Sequence, residues 1–182
     1  MPRYIAFLRA INVGGHTVKM DQLRQLLEAL GLSDVETFIA SGNVTFKSPA
    51  KSTAALEKKI ESQLQKSLGY AVATFVRSTA ELAAIARYQA FPAAELQAAG
   101  HNLYIGFVAT PPSRDVQQKV AALRTERDEF HVHEREVYWL LRTKFNESTV
   151  TGARLERTLG MPTTVRNITT VKKLAAQYPE AI

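Results

Sequence analysis

Arg3-Tyr4-Ile5-Ala6-Phe7-Leu8, apolar on both alternating faces, returns later in the chain as Leu103-Tyr104-Ile105-Gly106-Phe107-Val108. A segment of that kind suits a strand central in its sheet and covered on both sides. The echo has a second part, because Val76-Arg77-Ser78 returns as Val165-Arg166-Asn167. A duplication that opens on one strand and closes on one Arg-plus-cap element implies two copies of a single supersecondary unit, with a cleft where the copies meet.

Between these anchors the first copy has a legible order. Leu23, Leu26, Leu27 and Leu30 recur at helical spacing, and Gly31 stands where a left-handed cap stops a helix. Val35 to Ala40 reads as a strand, Ser41-Gly42 as a tight turn, and Asn43 to Lys47 as the returning strand with Val44 and Phe46 inward. Leu56, Ile60 and Leu64 mark a second helix, begun by Ser52 or Thr53 and ended at Gly69, and Ala71 to Arg77 closes the unit as a fourth strand. Ser78-Thr79-Ala80-Glu81 is a capping box heading a short helix. The order β-α-β-β-α-β plus a helix is the ferredoxin-like arrangement.

The second copy runs the same way. Leu103 to Val108 is its first strand, and Pro111-Pro112-Ser113 opens a helix through Val116, Val120 and Leu123. Glu129 to His133 and Glu136 to Leu141 form a hairpin. Ser148 or Thr149 begins a helix stopped by Gly160, Thr163 to Arg166 is the closing strand, and Asn167 caps a last helix. The expected fold class is α+β, with two tandem ferredoxin-like repeats at 1–88 and 103–182 and a linker at 89–102 carrying Pro92 and Gly100.

With 46% hydrophobic and 22% charged residues, the 182-residue chain has enough apolar surface for a core. It has no cysteine, which removes disulfide frameworks, thiol nucleophiles and Cys-based zinc sites. No apolar run approaches the roughly 20 residues that span a bilayer, and the first residues lack a signal-peptide layout. The expectation is a cytoplasmic protein with no membrane partner and no cofactor. A net charge of +6 favours a polyanionic partner, since each Lys or Arg on a phosphate releases counterions. Yet the basic residues alternate with acids, as in Glu57-Lys58-Lys59-Ile60-Glu61, so nucleic acid is a possible partner and not the favoured one.

Chemistry has four candidate places. The loop Arg9-Ala10-Ile11-Asn12-Val13-Gly14-Gly15-His16, followed by Lys19, joins a central strand to a helix. Gly14 and Gly15 can turn consecutive N–H groups to one side and cradle an anion, with Arg9, Asn12, His16 and Lys19 completing a phosphate or carboxylate site. A glycine turn with Asn12 bonded to its own backbone explains the same residues. The Gly-Lys-Ser/Thr ending of a nucleotide P-loop is missing. Arg166-Asn167, echoed by Arg77-Ser78, puts a guanidinium beside a helix start, as an anion clamp or as capping alone. His131 and His133 share a strand face with Glu129, with Glu136 across the turn; they read either as metal ligands or, better, as the outer face of a half-buried strand. Ser41-Gly42-Asn43 is accounted for by a hairpin turn. No Gly-x-Ser-x-Gly elbow or RNP-type signature occurs.

Leu8-Arg9-Ala10-Ile11-Asn12-Val13-Gly14-Gly15, then Met20 and Leu23, Thr37 to Val44, and Thr163-Thr164-Val165-Arg166-Asn167 together resemble the bacterial domain-of-unknown-function family numbered 1697. The resemblance implies an α+β fold with related halves and points to three loops: Arg9 to Gly15, Ser41 to Asn43, and Arg166-Asn167. Two departures stand out. Ala10 occupies a place where the family has Gly, and Ala resists positive φ. Ile168-Thr169 stand where Trp-Asn usually follow, which removes an aromatic and an amide.

Ferredoxin-like connectivity is expected to place the loop after the first strand and the hairpin between the second and third at opposite sheet ends. Arg77 is then expected beside Ser41 to Asn43, and a pocket made of Arg9, Asn12 and Arg166 would bridge the two copies. Three functions remain open at this level. One is a binding domain for a small anionic or phosphate-bearing ligand or a nucleic-acid backbone. Another is an enzyme using His16 as general acid or base. The last is a structural or protein-interaction module without a ligand.

Overall fold

The computed structural model describes residues 1–11, 15 and 17–180, and of Ala40 and Ser41 the backbone alone. Strand β1 (Arg3–Leu8) is buried along nearly its whole length and takes a neighbour on each side, as its two apolar faces require. β3 (Ala40–Lys47) pairs with it antiparallel, Arg3 opposite Lys47 and Phe7 opposite Asn43. β4 (Thr74–Ser78) pairs on the other side, Tyr4 opposite Ser78 and Leu8 opposite Thr74. β2 (Ser33–Phe38) lies outside β3, giving a four-stranded antiparallel sheet in the order β2-β3-β1-β4. Helices α1 (Met20–Glu28) and α2 (Thr53–Leu68) cover one face, where Leu23, Leu27, Ile60 and Leu64 meet Ala6, Phe46 and Val76. Local chemistry sets the helix ends: Ser52 Oγ accepts from the Ala55 N–H at 3.2 Å, and Gly69 takes the left-handed cap at φ 84°.

The chain divides into two compact units, Met1–Ala84 with Lys173–Ile182, and Ile85–Lys172. Helices α3 (Thr79–Arg87) and α7 (Ile168–Gln177) contain the boundaries. The second unit holds α4 (Ala93–Gln97), β5 (Asn102–Phe107), α5 (Arg114–Ala121), β6 (Asp128–His133), β7 (Glu136–Leu141), α6 (Gly152–Leu159) and β8 (Thr164–Asn167). Its sheet is also four-stranded and antiparallel, in the order β6-β7-β5-β8. Val108, Val120, Phe130, Trp139 and Leu155 form its helix-side core. The architecture is therefore mixed α+β, two antiparallel sheets with seven α-helices among the described residues. No helix among them is long and apolar enough to cross a membrane.

Four local expectations need correction. The β2–β3 corner lies at Ile39, at φ 65°, and Ser41-Gly42 belongs to β3. Pairing of Asn43 with Phe7 draws residues 41–43 into the strand, and the β2 register shifts between Thr37 and Phe38 to accommodate them. Helix α6 starts at the Thr151 cap, because Ser148 is already engaged with Asp128 and Val150. The stretch 89–102 contains α4, tied to the second sheet by Glu95, which meets Arg142 at 3.1 Å. Finally, β1 and β2 both run antiparallel to β3, so they are parallel to each other, and both finish at the same sheet end. The β1–α1 loop and the β2–β3 corner consequently lie at one end, and Arg77, opposite Ile5, lies toward the other.

Candidate functional site

The chain leaves the sheet at Leu8. Arg9 is exposed, while its N–H donates to the Ala73 carbonyl at 2.9 Å and so prolongs the β1–β4 ladder. Ala10 takes φ 52°, a left-handed conformation that its Cβ disfavours by about 1–2 kcal/mol. Ile11 is buried, and its carbonyl accepts from the Tyr70 hydroxyl at 2.8 Å, which anchors the loop to the segment after α2. Gly15, at φ 85°, has open space where a Cβ would stand. Exposed Lys19 fills the cap position of α1, and its side chain makes no capping hydrogen bond. The cap residue therefore does not close the first-turn N–H groups, unlike Ser52 on α2 or Thr151 on α6. Asn12, Gly14 and His16 lie outside the described residues, and the proposed acid/base role of His16 lies there with them.

The start of β3 sits at the same sheet end. Asn43 is buried opposite Phe7, and its Nδ2 donates to the Phe38 carbonyl at 3.1 Å, bridging the corner that Ile39 turns. Gly42 is half-buried beside it, and the Ser41 backbone continues β3. The chain leaving β1 at Arg9 and the segment Ser41 to Asn43 thus lie at the same end of the first sheet. Both carry a residue other than glycine held at positive φ, Ala10 on one and Ile39 just before the other.

The remaining predicted residues have other surroundings. Arg77 is fully buried; its Nη1 lies 3.6 Å from Glu57 Oε1 and donates to the Val76 carbonyl at 3.0 Å. Arg166 holds the same register position in the second sheet, opposite Ile105. Its Nη1 donates to Thr164 Oγ1 at 2.6 Å and to the Val165 carbonyl at 3.1 Å, and burial lowers its pKa to about 10. Asn167 Oδ1 accepts from the Thr169 N–H at 2.8 Å, closing the start of α7. His131 and His133 are covered by Tyr88, whose hydroxyl lies 2.8 Å from His131 Nε2 and whose ring stacks on His133 at 3.9 Å. Burial, then the neighbouring His133, lowers the His131 pKa. Glu129 is engaged by Arg142 at 2.6 Å, and among the described residues no group of three or more His, Cys, Asp or Glu is placed to hold a metal.

Two features went beyond the sequence reading, which held only the Ser78–Glu81 capping box among them. The outward N–H groups of edge strand β4 are each met by a carboxylate: Thr74 by Glu61 at 3.0 Å, Val76 by Glu57 at 2.9 Å and Ser78 by Glu81 at 2.8 Å. In the second unit Glu156 accepts from the Thr163 N–H at 3.0 Å, ahead of β8. The other is Asp128, fully buried, which accepts from Trp139 Nε1, Ser148 Oγ and Thr125 Oγ1 at 2.9, 2.6 and 2.8 Å. That fork of donors is a closed structural hub.

An α+β chain with two of its three motif segments at one end of its first sheet matches the family described as "Protein of unknown function (DUF1697)" over residues 1–138. The chain belongs to that family. No curated protein matches it. Among solved structures it is similar to the conserved bacterial protein SP0830 from Streptococcus pneumoniae, at 25% identity and a TM-score of 0.73, covering 99% of each chain.

Proposed function

We propose that this chain is a binding protein for a small anionic or phosphate-bearing ligand, held at the end of the first sheet between the β1–α1 loop and the start of β3. The observation that carries the reading is that two separate motif segments, one starting at Arg9 and the other Ser41 to Asn43, share one sheet end. Strained backbone of the kind seen at Ala10 and Ile39 concentrates at binding sites, where surrounding structure holds it in place. Exposed Arg9 and Lys19 supply positive charge, and the first turn of α1 supplies N–H donors. We further infer that the two sheets are tandem copies of one ferredoxin-like unit; the matching strand orders and the shared register of Arg77 and Arg166 support this.

The test is a thermal-unfolding screen of wild type, Arg9→Ala and Lys19→Ala against phosphate, sulfate, nucleotides and sugar phosphates. A ligand at a hundred times its Kd adds about 2.7 kcal/mol, which at roughly 2–4 °C per kcal/mol for a chain of this size is about 5–10 °C. That shift is expected in wild type and is reduced in both variants. A shift that survives both substitutions, or no shift with any anion, would overturn the reading and favour a module without a small ligand.

A further inference from the structure

Helix α2 divides its charge between two faces. Leu56, Ile60 and Leu64 turn into the core, while Glu57 and Glu61, one turn apart, lean to the β4 edge and accept the Val76 and Thr74 N–H groups. Glu57 is thereby buried, and half-buried Glu61 is tied to the strand edge while still bordering one groove beside the outer surface. What remains outside is Lys58, Lys59, Ser62, Gln65 and Lys66, all exposed. At 3.6 residues per turn these five fall within a sector of about 120°, and Lys58 to Lys66 spans about 12 Å of helix. Two shallow grooves flank the stripe and share Lys58, Ser62 and Lys66. Among the described residues no carboxylate lies within ion-pairing distance of the three lysines.

We propose that this face of α2 docks the phosphate backbone of a double-stranded nucleic acid. Lysines interleaved with Ser and Gln are the side chains that contact phosphates, and the chain carries a surplus of six positive charges. The stripe has no aromatic residue to stack on unpaired bases, so the contact is to backbone and independent of sequence. A protein partner is less suited, because protein interfaces are anchored by buried aromatic or Arg residues that this face lacks. The inference does not depend on the loop site, which lies on other elements.

The experiment measures binding of a short labelled DNA duplex and the matching RNA duplex by anisotropy at about 50 and 200 mM salt. Three phosphate contacts give a log-log slope of about −2.7, hence about 40-fold weaker binding at the higher salt. Lys58→Glu/Lys59→Glu/Lys66→Glu is expected to abolish binding, with folding verified by far-UV circular dichroism. Should that variant misfold, Lys58→Gln and Lys66→Gln singly are each expected to flatten the slope by about 0.9. Lys119→Ala, an exposed lysine of α5 in the second unit, is expected to bind duplex as wild type does, which confines the contact to this face. Binding indifferent to salt, binding kept by folded lysine variants, or selective capture of polyglutamate over duplex would overturn the proposal.

Discussion

Replacing Glu57 tests how the first unit tolerates a cation in its interior. Arg77 is 0% exposed, and Glu57, itself buried, is both its ion-pair partner at 3.6 Å and the acceptor for the Val76 N–H at 2.9 Å. Removing one member of a buried pair costs about 3–5 kcal/mol. A hydrogen bond to a charged acceptor contributes about 1.5–3 kcal/mol. The two costs overlap, since both pass through one carboxylate, so Glu57→Ala is expected to destabilise by about 3–5 kcal/mol and not by their sum. Glu57→Gln keeps an oxygen for Val76 and loses only the charge, so it is expected to recover about 1 kcal/mol of that loss. In the double variant with Arg77→Met the cation is gone as well, and the two substitutions together are expected to cost at least 1 kcal/mol less than their separate costs added. Urea unfolding measures wild type and the four variants, with the slope m held constant as the check on two-state behaviour. A loss below about 1 kcal/mol for Glu57→Ala, or additive single costs, would refute the reasoning.

Other outcomes follow from particular residues. Ala10→Gly relieves about 1–2 kcal/mol of left-handed strain and adds about 0.4–1 kcal/mol of unfolded-state entropy, so a net gain of about 0.5–1 kcal/mol is expected in thermal unfolding. Because the folded-state pKa of His131 is lowered, the unfolded chain takes up the proton first as pH falls. Stability from that group is therefore complete above the ordinary histidine value of about 6.5 and is lost below it; unfolding midpoints across that range should fall less in His131→Gln than in wild type. Asp128→Ala strands the buried Trp139 N–H and takes an acceptor from half-buried Ser148 and exposed Thr125, and is expected to cost about 1–3 kcal/mol. Trp139, the chain's single tryptophan, reports this directly as a shift in its fluorescence.

Much of the fold was written locally. Helix caps at Ser52, Gly69, Ser113 and Gly160, and the reciprocal bonds of Ser78 and Glu81, depend on residues three or four positions apart, so a reader of the sequence can place them. The corner at Ile39 was hidden because Ser41-Gly42 has the stronger turn preference, and only pairing of Asn43 with Phe7, a long-range contact, overrules it. Which sheet end a loop occupies depends on strand direction; the helical crossover from β1 to β2 makes them parallel, so the shared end of the Arg9 and Ser41 segments follows from the connectivity, and the expectation of opposite ends misread it. Exposed Arg9 and Lys19 stand on the loop where anion chemistry was expected, while Arg77 has an interior role that its sequence echo with Arg166 did not disclose. The duties of Glu57 and Glu61 were illegible for the same reason, since on a helical wheel they are ordinary flank residues.

The three carboxylates along β4 also change how that border of the sheet meets its surroundings. A bare border strand recruits passing strands through its unused donors; here Thr74, Val76 and Ser78 already have acceptors. Their amide protons should consequently trade with heavy water as slowly as those of interior strands. Such a margin gives the sheet a side whose donors are already taken, so an incoming misfolded strand or fibril end finds fewer groups to pair with.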